Sequence, residues 1–444
     1  MSEWVRGSLG ELASGVRGVS YTPNQLQKFM SPETVVLLRS NNIKGGQVNF
    51  DNIQLVPSYI VSSEQLAQHG DIAVCMSNGS KALVGKSGRI EGNEAPCTVG
   101  AFCSIFRPHA HADEKFVSYV FQSGAYKRHL DIILAGSAIN NLKNSDVEAL
   151  SLEIPPRKEQ RLIARILDIL DTQIQKTEAL IAKLEKVKVG LLHDLLTRGI
   201  DENGRLRPSP EQAPGLYKES PLGLIPREWN PKTIGHVSSS IVDGPFGSNL
   251  KTEHYVTEPG VRVVRLQNII PFEYDDTDRA FIKDGHAEAL SKNIVQPDDV
   301  LIASLGDGTH PAGRACLYPS NLPEAINKAD CFRLRADSRV VTNSYIMLFM
   351  NSDIFAQQAR KWTQGVTLQR INTTSLKRIY ISCPPLEEQK LISRKLNKAL
   401  FLLATQREEL DKLILKKQGL MDDLLTGRVR VTSLLEQAKA TTPA

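Results

Sequence analysis

The chain has 444 residues, of which 41% are hydrophobic and 23% charged, and this composition is typical of a soluble protein with about two or three globular domains. No stretch approaches about 18 consecutive apolar residues, and the N-terminus lacks an apolar signal run, which excludes a membrane-spanning helix and a secretory signal. The six cysteines form no CxxC pair and predict reduced thiols in a cytoplasmic protein, and a net charge of only +5 excludes a strongly basic chain.

Residues 1–151 are predicted to form a first globular domain. Short β-like runs at 34–38, 71–76 and 101–106 are separated by loops rich in Gly, Ser and Asn, and a helical stretch covers 116–133. Helices that are segregated from a mainly antiparallel sheet are typical of an α+β fold. The domain carries 13 basic and 13 acidic side chains, so any attraction for DNA must be local or come from a partner.

A long helix is predicted to follow, over residues 152–198. Its start is marked by PPRKEQ at 155–160, because proline is tolerated in a first helical turn. Apolar residues then alternate four and three positions apart over about five heptads, which predicts a coiled-coil seam. The seam positions are Ile163, Leu167, Leu170, Ile174, Thr177, Ile181, Leu184, Lys188, Leu191 and Leu195.

The next segment, 199–218, holds three prolines and three glycines and is predicted to be an extended linker. A second α+β domain is predicted over 219–380. Its β-like runs lie at 261–266, 300–303 and 332–334, and its helical stretch at 344–363. With 18 basic and 18 acidic side chains, this domain is as neutral as the first.

A second long helix is predicted over 381–430, ahead of a tail, 431–444, that we expect to fray. Aligned without gaps, residues 155–198 and 384–427 share 17 identities in 44 positions. The chain is therefore an internal duplication. The counterpart seam positions are Ile392, Leu396, Ala399, Leu403, Gln406, Leu410, Leu413, Lys417, Leu420 and Leu424.

The repeat continues more weakly upstream, where Trp4 pairs with Trp229 and Tyr119 with Tyr345. Each copy is thus a globular domain followed by a long helix, and the second helix is the nearest partner for the apolar stripe of the first. A parallel pair would require the linker to run back along the helix, whereas an antiparallel pair requires no return. We therefore expect two mixed domains separated by a long antiparallel coiled coil with pseudo-two-fold symmetry.

Identities between the helices are concentrated at the two ends, and none falls between Asp168 and Ala182. Packing requires only apolar residues at the seam, so the repeated polar residues have another role. Either they dock the globular domains onto the helices, or they form two equivalent surfaces for two copies of one partner. The candidate partner-binding residues are Glu159, Gln160, Arg165, Asp194, Thr197, Glu388, Gln389, Arg394, Asp423 and Thr426.

Loops of both domains carry side chains suited to contacts with DNA, although any single one of them could belong to an ordinary solvated turn. Arginine and lysine pair with guanine, asparagine and glutamine with adenine, and serine and threonine with a base or a phosphate. The candidates in the first domain are Ser77, Asn78, Ser80, Lys81, Lys86, Arg89, Asn140 and Lys143. Those in the second domain are Ser248, Asn249, Lys251, Thr309, His310, Arg314, Gln369 and Arg370.

Motifs of catalysis are incomplete in this chain. Residues 79–87, GSKALVGKS, resemble a phosphate-binding loop, but five residues separate the two glycines where that loop requires four. His109 and His111 have no Cys or carboxylate cluster at metal-site spacing and are predicted to lie in a surface loop. No motif for binding S-adenosylmethionine is evident, so we expect neither a catalytic site nor a metal site.

With these residues in place, essentially the whole chain resembles the specificity subunit of type I restriction-modification systems. PPRKEQ and its repeat PPLEEQ look like that family's PPxxEQ entries into two conserved helices, and the two DLLT segments, 194–197 and 423–426, look like the helix exits. LGLIPREW at 222–229 and GPFGSNLKTEHY at 244–255 are similar to the opening of the family's second target-recognition domain. The first domain departs from the pattern, because its EWVRGSLGEL opening is shorter.

The resemblance implies that each domain reads one part of a bipartite, asymmetric target in double-stranded DNA, that the helix pair sets the spacer, and that the chain is not itself an enzyme. It also implies two methyltransferase subunits that dock on the helix ends and use S-adenosylmethionine. Motor-nuclease restriction subunits that use ATP and Mg²⁺ would complete the complex. The alternatives are a free-standing bipartite DNA-binding regulator and a nucleotide-hydrolysing enzyme built on residues 79–87.

Overall fold

The structure, a computed structural model, describes residues 4–92, 95–135, 140–257, 260–306, 310–363, 365 and 368–434. It divides into two compact units, Met1–Glu178 with Glu409–Ala444 and Ala179–Glu408. Each unit therefore contains one globular domain, the start of one long helix and the end of the other. Within the described ranges, no helix combines the length and the apolar character needed to cross a membrane.

The strands of the first unit are β1 (Val5–Ser8), β2 (Ala13–Arg17), β3 (Thr34–Leu38), β4 (Ile43–Lys44), β5 (Gly46–Val48), β6 (Gln54–Pro57), β7 (Ile72–Cys75), β8 (Ser87–Arg89), β9 (Cys97–Val99), β10 (Cys103–Pro108) and β11 (Ser151–Ile154). They form a six-stranded sheet in the order β2-β10-β7-β8-β5-β4, a three-stranded sheet β6-β3-β9 and the pair β1-β11. Strand β7 is apolar throughout and fully buried, because it pairs on both edges and is covered on both faces.

The helices of the first unit are α1 (Glu114–Val120), α2 (Gly124–Ala135), α3 (Asn144–Glu148) and the first part of α4 (Arg157–Thr197). The single helical stretch predicted over 116–133 is thus two helices. Ser123 causes the break: its hydroxyl donates to the carbonyl of Val120 (2.7 Å) and accepts from the amide of Tyr126 (3.1 Å). One side chain therefore ends α1 and caps α2.

The strands of the second unit are β12 (Tyr217–Lys218), β13 (Ile225–Pro226), β14 (Asn230–Thr233), β15 (Ser238–Val242), β16 (Tyr255–Val256), β17 (Val261–Val264), β18 (Ile269–Ile270), β19 (Glu273–Tyr274), β20 (Phe281–Ile282), β21 (Ile294–Val295), β22 (Val300–Ala303), β23 (Leu305–Gly306), β24 (Ala315–Leu317), β25 (Ala325–Asn327), β26 (Cys331–Ala336), β27 (Gln369–Arg370) and β28 (Tyr380–Cys383). The main sheets run β15-β26-β22-β24 and β16-β20-β17-β25-β21. The first of these repeats the order β2-β10-β7-β8 of the other unit.

The helices of the second unit are α5 (Ile234–Val237), α6 (Asp284–Ala289), α7 (Asn343–Met350), α8 (Asp353–Ala359), α9 (Thr373–Arg378) and the first part of α10 (Leu386–Leu425). Here too the predicted stretch 344–363 is two helices. Ser352 donates to the carbonyl of Phe349 (2.6 Å) and accepts from the amide of Phe355 (3.3 Å). The helix break is therefore part of the duplicated fold, and both domains are α+β as predicted.

The two long helices pack antiparallel within each unit. In the first unit, Ile163 and Leu167 near the start of α4 share a hydrophobic core with Leu424 near the end of α10. In the second unit, Leu195 near the end of α4 shares a core with Ile392 near the start of α10. All the predicted seam positions of both helices are buried or half-buried. The heptad pattern and the antiparallel direction are therefore confirmed.

The predicted linker and the start of the tail both pack onto the domains. Within the linker, Ile200 bridges Leu206, and β12 pairs with β13 inside the second unit. The tail begins with Val431, which is 1% exposed in the core of the first unit. The part of the tail from 435 to 444 lies outside the described residues, so the expectation that it frays stays an expectation.

Candidate nucleic-acid interface

Two groups of DNA-binding candidates that are distant in the sequence meet at the end of β7. The strand continues into Ser77, which forms a bridge with Asn141. One residue further, the amide of Asn78 donates to the carbonyl of Asn140 (3.4 Å). Asn78 and Asn140 are both half-buried, just beyond the end of β7. Backbone pairing therefore brings the two predicted groups onto one surface.

A recess of about 670 Å³ opens beside this surface. Its lining combines Ser77 and Asn78 with Tyr21, Arg39 and the turn residue Phe102. The ring of Phe102 is 71% exposed, although large aromatic side chains are usually buried in a core. Amide, hydroxyl, guanidinium and aromatic groups are the ones that contact base edges in DNA, so the lining suits that role.

The basic candidates of the first domain lie elsewhere. Lys81, Lys86 and Arg89 line a cleft of about 1050 Å³ between the domain and the helices of the same unit. Lys81 is exposed, whereas Arg89 is 9% exposed and ion-paired with Glu91. The lysine-lined cleft is therefore separate from the asparagine-lined recess. Arg89 is buried and already paired with a carboxylate of its own domain.

The two remaining candidates of this domain are exposed. The backbone amide of Ser80 donates to Oδ1 of Asn78 (3.0 Å), which fixes the asparagine at the rim of the recess. The amide of Lys143 donates to the carboxylate of Asp146 (2.7 Å) at the start of α3, while its side chain extends into solvent. Both side chains are therefore available to a ligand.

The same strand pairing recurs in the second domain, where Leu305 pairs with Arg370. The amide of Ile371 donates to the carbonyl of Ser304 (3.0 Å). In the first domain the equivalent bond runs from the amide of Leu142 to the carbonyl of Met76 (2.8 Å). The equivalent residues of the two surfaces are Ser77 and Leu305, Asn78 and Gly306, Asn140 and Gln369, and Asn141 and Arg370. One backbone frame therefore carries different side chains in the two domains.

The guanidinium of Arg370 is held in a fixed orientation. It forms an ion pair with Asp330, and that carboxylate also accepts from the hydroxyl of Ser304 (3.2 Å). The guanidinium also lies over the ring of Phe246, 5.8 Å from its centroid. Because a guanidinium has five N–H donors, one ion pair leaves others for a ligand.

The half-buried carboxyl of Asp243 lies close to this arginine. Its pKa is raised to about 6, mainly by burial; the backbone amide of Gly244 and the charge of Arg370 lower it, and the charge of Asp330 raises it. The charge of the surface in the second domain therefore changes in mildly acidic solution.

The other candidates of the second domain have different positions. The exposed ones are Asn249, Lys251 and His310. Arg314 is 6% exposed and donates to the carbonyls of Ile269 (2.7 Å) and Leu305 (2.8 Å), so it supports the backbone of the surface from inside. Thr309 and the side chain of Ser248 lie outside the described residues.

At the start of α4, Glu159 forms a clamp that joins three parts of the first unit. Trp4 Nε1 donates to Glu159 Oε2 (3.0 Å), and Arg430 Nη2 donates to Glu159 Oε1 (3.1 Å). The guanidinium of Arg430 also lies over the Trp4 ring, 5.0 Å from its centroid. The carboxylate, which is 1% exposed, thus ties the first strand and the segment after α10 to α4.

The second unit has a matching clamp around Glu388. Trp229 Nε1 donates to Glu388 Oε2 (3.1 Å), and Arg207 forms a bidentate ion pair with the same carboxylate. The amide of Ile200 adds a further bond to Oε1 (2.9 Å). Arg207 belongs to the predicted linker. The linker therefore supplies the arginine of this clamp, whereas the segment after α10 supplies it, as Arg430, in the first unit.

The glutamine that follows each clamp carboxylate is also used inside its unit. Gln160 accepts from the amide of Asp113 (2.8 Å), the cap of α1, and Gln389 accepts from the amide of Thr342 (3.0 Å), the cap of α7. Of the two roles that the sequence left open, the four buried residues Glu159, Gln160, Glu388 and Gln389 have contacts that suit docking of the domains.

The remaining repeated polar residues lie at the surface of the helix ends. The exposed ones are Arg165, Arg394 and Thr426, and the half-buried ones are Asp194, Thr197 and Asp423. Asp194 and Asp423 are ion-paired with Arg198 and Arg428, one turn further along the chain. These six residues stay candidates for a surface that contacts a partner.

An ionic cluster that the sequence did not reveal seats the first domain on its helices. The hydroxyl of Tyr119 lies 2.9 Å from Asp168 Oδ1 and 2.8 Å from Asp171 Oδ2, both on α4. Lys115 pairs with Asp168, and Lys417 of α10 pairs with Asp171 (2.6 Å). Burial and the two carboxylates raise the pKa of Tyr119 well above its usual range, so the phenol stays a donor.

The two catalytic resemblances have structural roles. Residues 79–87 pass through a short turn into β8, whereas a phosphate-binding loop opens a helix whose N-terminus faces the phosphate. The rings of His109 and His111 both contact the carbonyl of Glu11, at 3.1 and 2.9 Å. Over the described ranges, no group of three His, Cys, Asp or Glu side chains is placed to hold a metal ion.

Comparisons with known proteins agree with this architecture. The family model of the type I restriction modification DNA specificity domain matches residues 1–186 and 226–413. The StySPI specificity subunit of a type I restriction enzyme from Salmonella potsdam is 24% identical over 465 residues, covering 98% of this chain and 95% of that protein. The EcoKI specificity subunit from Escherichia coli K12 is also 24% identical, over 96% of this chain and 88% of its own length.

Two solved structures share the fold. One is the type I restriction-modification S subunit from M. genitalium, with a TM-score of 0.56 and 15% identity over 95% of this chain and 96% of that one. The other comes from work on complex assembly and conformational transition of the type I R-M system, with a TM-score of 0.54 and 16% identity over 97% of this chain and 99% of that one.

Proposed function

We propose that this chain, which belongs to the type I restriction modification DNA specificity family, reads a bipartite, asymmetric target with one globular domain for each part. The observation that carries the proposal is the pair of equivalent surfaces at the ends of β7 and β22. They share a backbone frame, yet the first presents Asn140 and Asn141 where the second presents Gln369 and Arg370. A duplicated frame with unlike side chains suits two unlike base sequences.

Two copies of a methyltransferase subunit dock, in this proposal, on the surface residues of the helix ends. Arg165 lies with Asp423 and Thr426 in the first unit, and Arg394 with Asp194 and Thr197 in the second. The partners use S-adenosylmethionine to methylate adenine, and restriction subunits that use ATP and Mg²⁺ complete the assembly. Since both globular domains are neutral, these partners supply much of the phosphate contact.

The continuous helices α4 and α10 set the length of the spacer that is not read. Inserting four residues near Thr177, matched in α10, lengthens the pair by about 6 Å. At about 3.4 Å per base pair, the spacer should then grow by one or two base pairs. An unchanged spacer would show that the helices do not determine it.

Exchange of one domain tests the proposed function directly. Replacing residues 1–151 with the corresponding domain of a relative should change one half of the methylated sequence and leave the other half and the spacer unchanged. The measurement is a genome-wide methylation map from cells that carry this chain and its methyltransferase. The matched control exchanges residues 219–380 and should change the other half. If either exchange alters both halves, the domains do not read separately.

Partner docking has its own test. Arg165→Glu and Arg394→Glu reverse one exposed charge on each surface, so each should remove one methyltransferase subunit and the double variant both. Lys176→Glu, an exposed reversal in the middle of α4, is the control. Native mass spectrometry of the complex gives the stoichiometry. Two bound subunits in the double variant would place the docking surface elsewhere.

A further inference from the structure

The turns before β10 and β26 put unlike residues at one equivalent position. In the first domain the amide of Met76 donates to the carbonyl of Phe102 (2.8 Å), and in the second the amide of Ser304 donates to the carbonyl of Asp330 (2.8 Å). The next residue in each case begins the strand, β10 or β26. Phe102 and Asp330 are therefore counterparts, although the sequence similarity here is too weak to show it.

The side chain of Phe102 is exposed, although the backbone of its turn is held in place. Its carbonyl accepts from two successive amides, those of Met76 and Ser77 (3.1 Å), so the backbone of the turn is fixed. Its ring is nevertheless 71% exposed, on the wall of the recess that also holds Asn78 and Arg39. An exposed aromatic ring on a fixed turn, beside amide donors, offers an apolar contact to a base that carries a methyl group, and thymine is that base in the major groove.

Asp330 holds the side chain of Arg370 in place. Its carboxylate accepts from the hydroxyl of Ser304 and pairs with Arg370, whose guanidinium also lies over the ring of Phe246, 5.8 Å from its centroid. Arg370 remains 47% exposed at its side chain. An arginine whose plane is fixed can form two parallel hydrogen bonds to O6 and N7 of guanine, which is the commonest specific contact of this residue with DNA.

We propose that this shared position determines base choice in each domain: Phe102 contacts the methyl group of a thymine, and Asp330 positions Arg370 for a guanine. The inference rests on the proposed function and deepens it, because it names the bases that the two surfaces accept. Phe102 and Arg370 contact the DNA, and Asp330 is a positioning residue. The two domains thus use one backbone position for opposite chemistry, apolar in the first and ionic in the second.

The guanine contact is tested with duplexes that carry the methylated target mapped for this chain. The full complex with its methyltransferase subunits is titrated with duplexes in which each guanine of the second half-site is replaced by 7-deazaguanine, which lacks N7. One replacement should weaken binding by the unmodified chain roughly tenfold or more. With Arg370→Ala that replacement should have no further effect, whereas with Arg370→Lys, the milder change, it should keep part of its effect because lysine also donates to guanine. Arg339→Ala, at another exposed Arg–Asp pair of the same domain, is the control.

Asp330 is tested through its coupling to Arg370. Asp330→Asn should lower affinity for the guanine duplex less than Arg370→Ala does, and the double variant should bind like Arg370→Ala alone. Additive losses would show that Asp330 acts independently of Arg370, for example by a structural effect on the turn, and would overturn the positioning role. Equal unfolding temperatures of the variants and the parent confirm that the comparison concerns folded protein.

The thymine contact is tested in the same way with deoxyuridine, which lacks the C5 methyl group. One replacement in the first half-site should weaken binding about fourfold, as expected for about one buried methyl group. Phe102→Ala should bind both duplexes equally, whereas Phe102→Leu should keep part of the preference. Tyr59→Ala, an 81% exposed aromatic of the same domain, is the control.

The outcomes separate the inference from the function on which it rests. If the complex methylates a bipartite target but no base replacement loses its effect in the Phe102 or Arg370 variants, the inference is wrong and the proposed function stands. If the complex methylates no bipartite sequence, or if exchange of one domain changes both halves, the proposed function itself fails.

Discussion

The two clamps kept their residue types, whereas the two equivalent surfaces at the ends of β7 and β22 did not. The clamps keep the same three residue types, Trp, Glu and Arg, even though the arginine comes from the segment after α10 in one unit and from the linker in the other. The surfaces keep the same backbone pairing while their side chains differ. Buried polar contacts tolerate few alternatives, because an unpaired buried charge is costly, whereas exposed side chains can change freely.

A second difference concerns how each domain is seated on the helices. In the first unit Tyr119 and two lysines meet the carboxylates of Asp168 and Asp171. The counterpart positions on α10 are Asn397 and Leu400. The contacts that hold each domain on the helices have therefore diverged, because each set needs only to complement its own domain.

The largest expected effect concerns the tryptophans of the clamps. Trp229 is fully buried and Trp4 is half-buried. Trp229→Ala should lower the free energy of unfolding by about 3–5 kcal/mol, as large-to-small core changes do. Trp4→Ala should cost less, because part of its ring already contacts water. Unfolding in guanidinium chloride measures the loss of unfolding free energy in both variants, and Trp362→Ala, at a partly exposed tryptophan, is the control. Equal losses in Trp229→Ala and Trp4→Ala would mean that the two clamps do not differ in burial.

A pair of glycines sharpens the same comparison. Gly199 and Gly427 follow α4 and α10 with φ of 64° and 74°. A Cβ at Gly199 would lie 2.2 Å from Glu388 Oε1, whereas one at Gly427 would lie 3.0 Å from the Trp4 ring. Both alanine variants should lose about 1–2 kcal/mol from the left-handed backbone, and Gly199→Ala more because it also disturbs the clamp. A larger loss in Gly427→Ala would contradict this order. Thermal unfolding of the two variants decides it.

Removal of one hydroxyl tests the ionic seat of the first domain. Tyr119→Phe should cost about 1.5–3 kcal/mol, the usual range for hydrogen bonds to charged groups, and it leaves two carboxylates close together. Tyr126→Phe, which removes a hydrogen bond to the uncharged carbonyl of Gly85 (3.1 Å) in the same domain, should cost less, because a bond to a neutral partner contributes less than one to a charged group. Urea unfolding of both variants gives the difference. Equal losses would show that the charge of the two carboxylates adds nothing to the strength of the hydrogen bonds of Tyr119.

The smallest expected effect is a dependence on pH in the second domain. The folded pKa of Asp243 is about 6, above the usual 3.8, so the folded state holds the proton more tightly than the unfolded chain. Stability should therefore fall as the pH rises from about 4 to about 6. Asp243→Asn should remove this fall and gain relative to the parent as the pH rises, in unfolding temperatures measured from pH 4.5 to 7. Asp337 is the control: a hydrogen bond from Arg339 lowers its pKa, so Asp337→Asn should lose stability relative to the parent as the pH rises.

Several features of the candidate site were accessible only in part from the sequence. The residue types suited to DNA contact were identified, and two groups of them, around Asn78 and Asn140, do meet. The same rule predicts Arg89 and Arg314, which lie inside their domains, because a residue type does not tell which side of a turn it faces. It does not predict Phe102, since an apolar residue in a loop is normally expected to pack inward.

The sequence by itself determined the duplication, the two α+β domains and the antiparallel coiled coil. These depend on residue identity and on spacing along the chain, and a heptad stripe of this length must be buried wherever the domains lie. Tertiary structure alone decided that Glu159 and Glu388 are clamps, that Arg207 of the linker replaces Arg430, and that Phe102 and Asp330 share one position. Those contacts join residues far apart in the chain, and no local periodicity records which distant side chains meet.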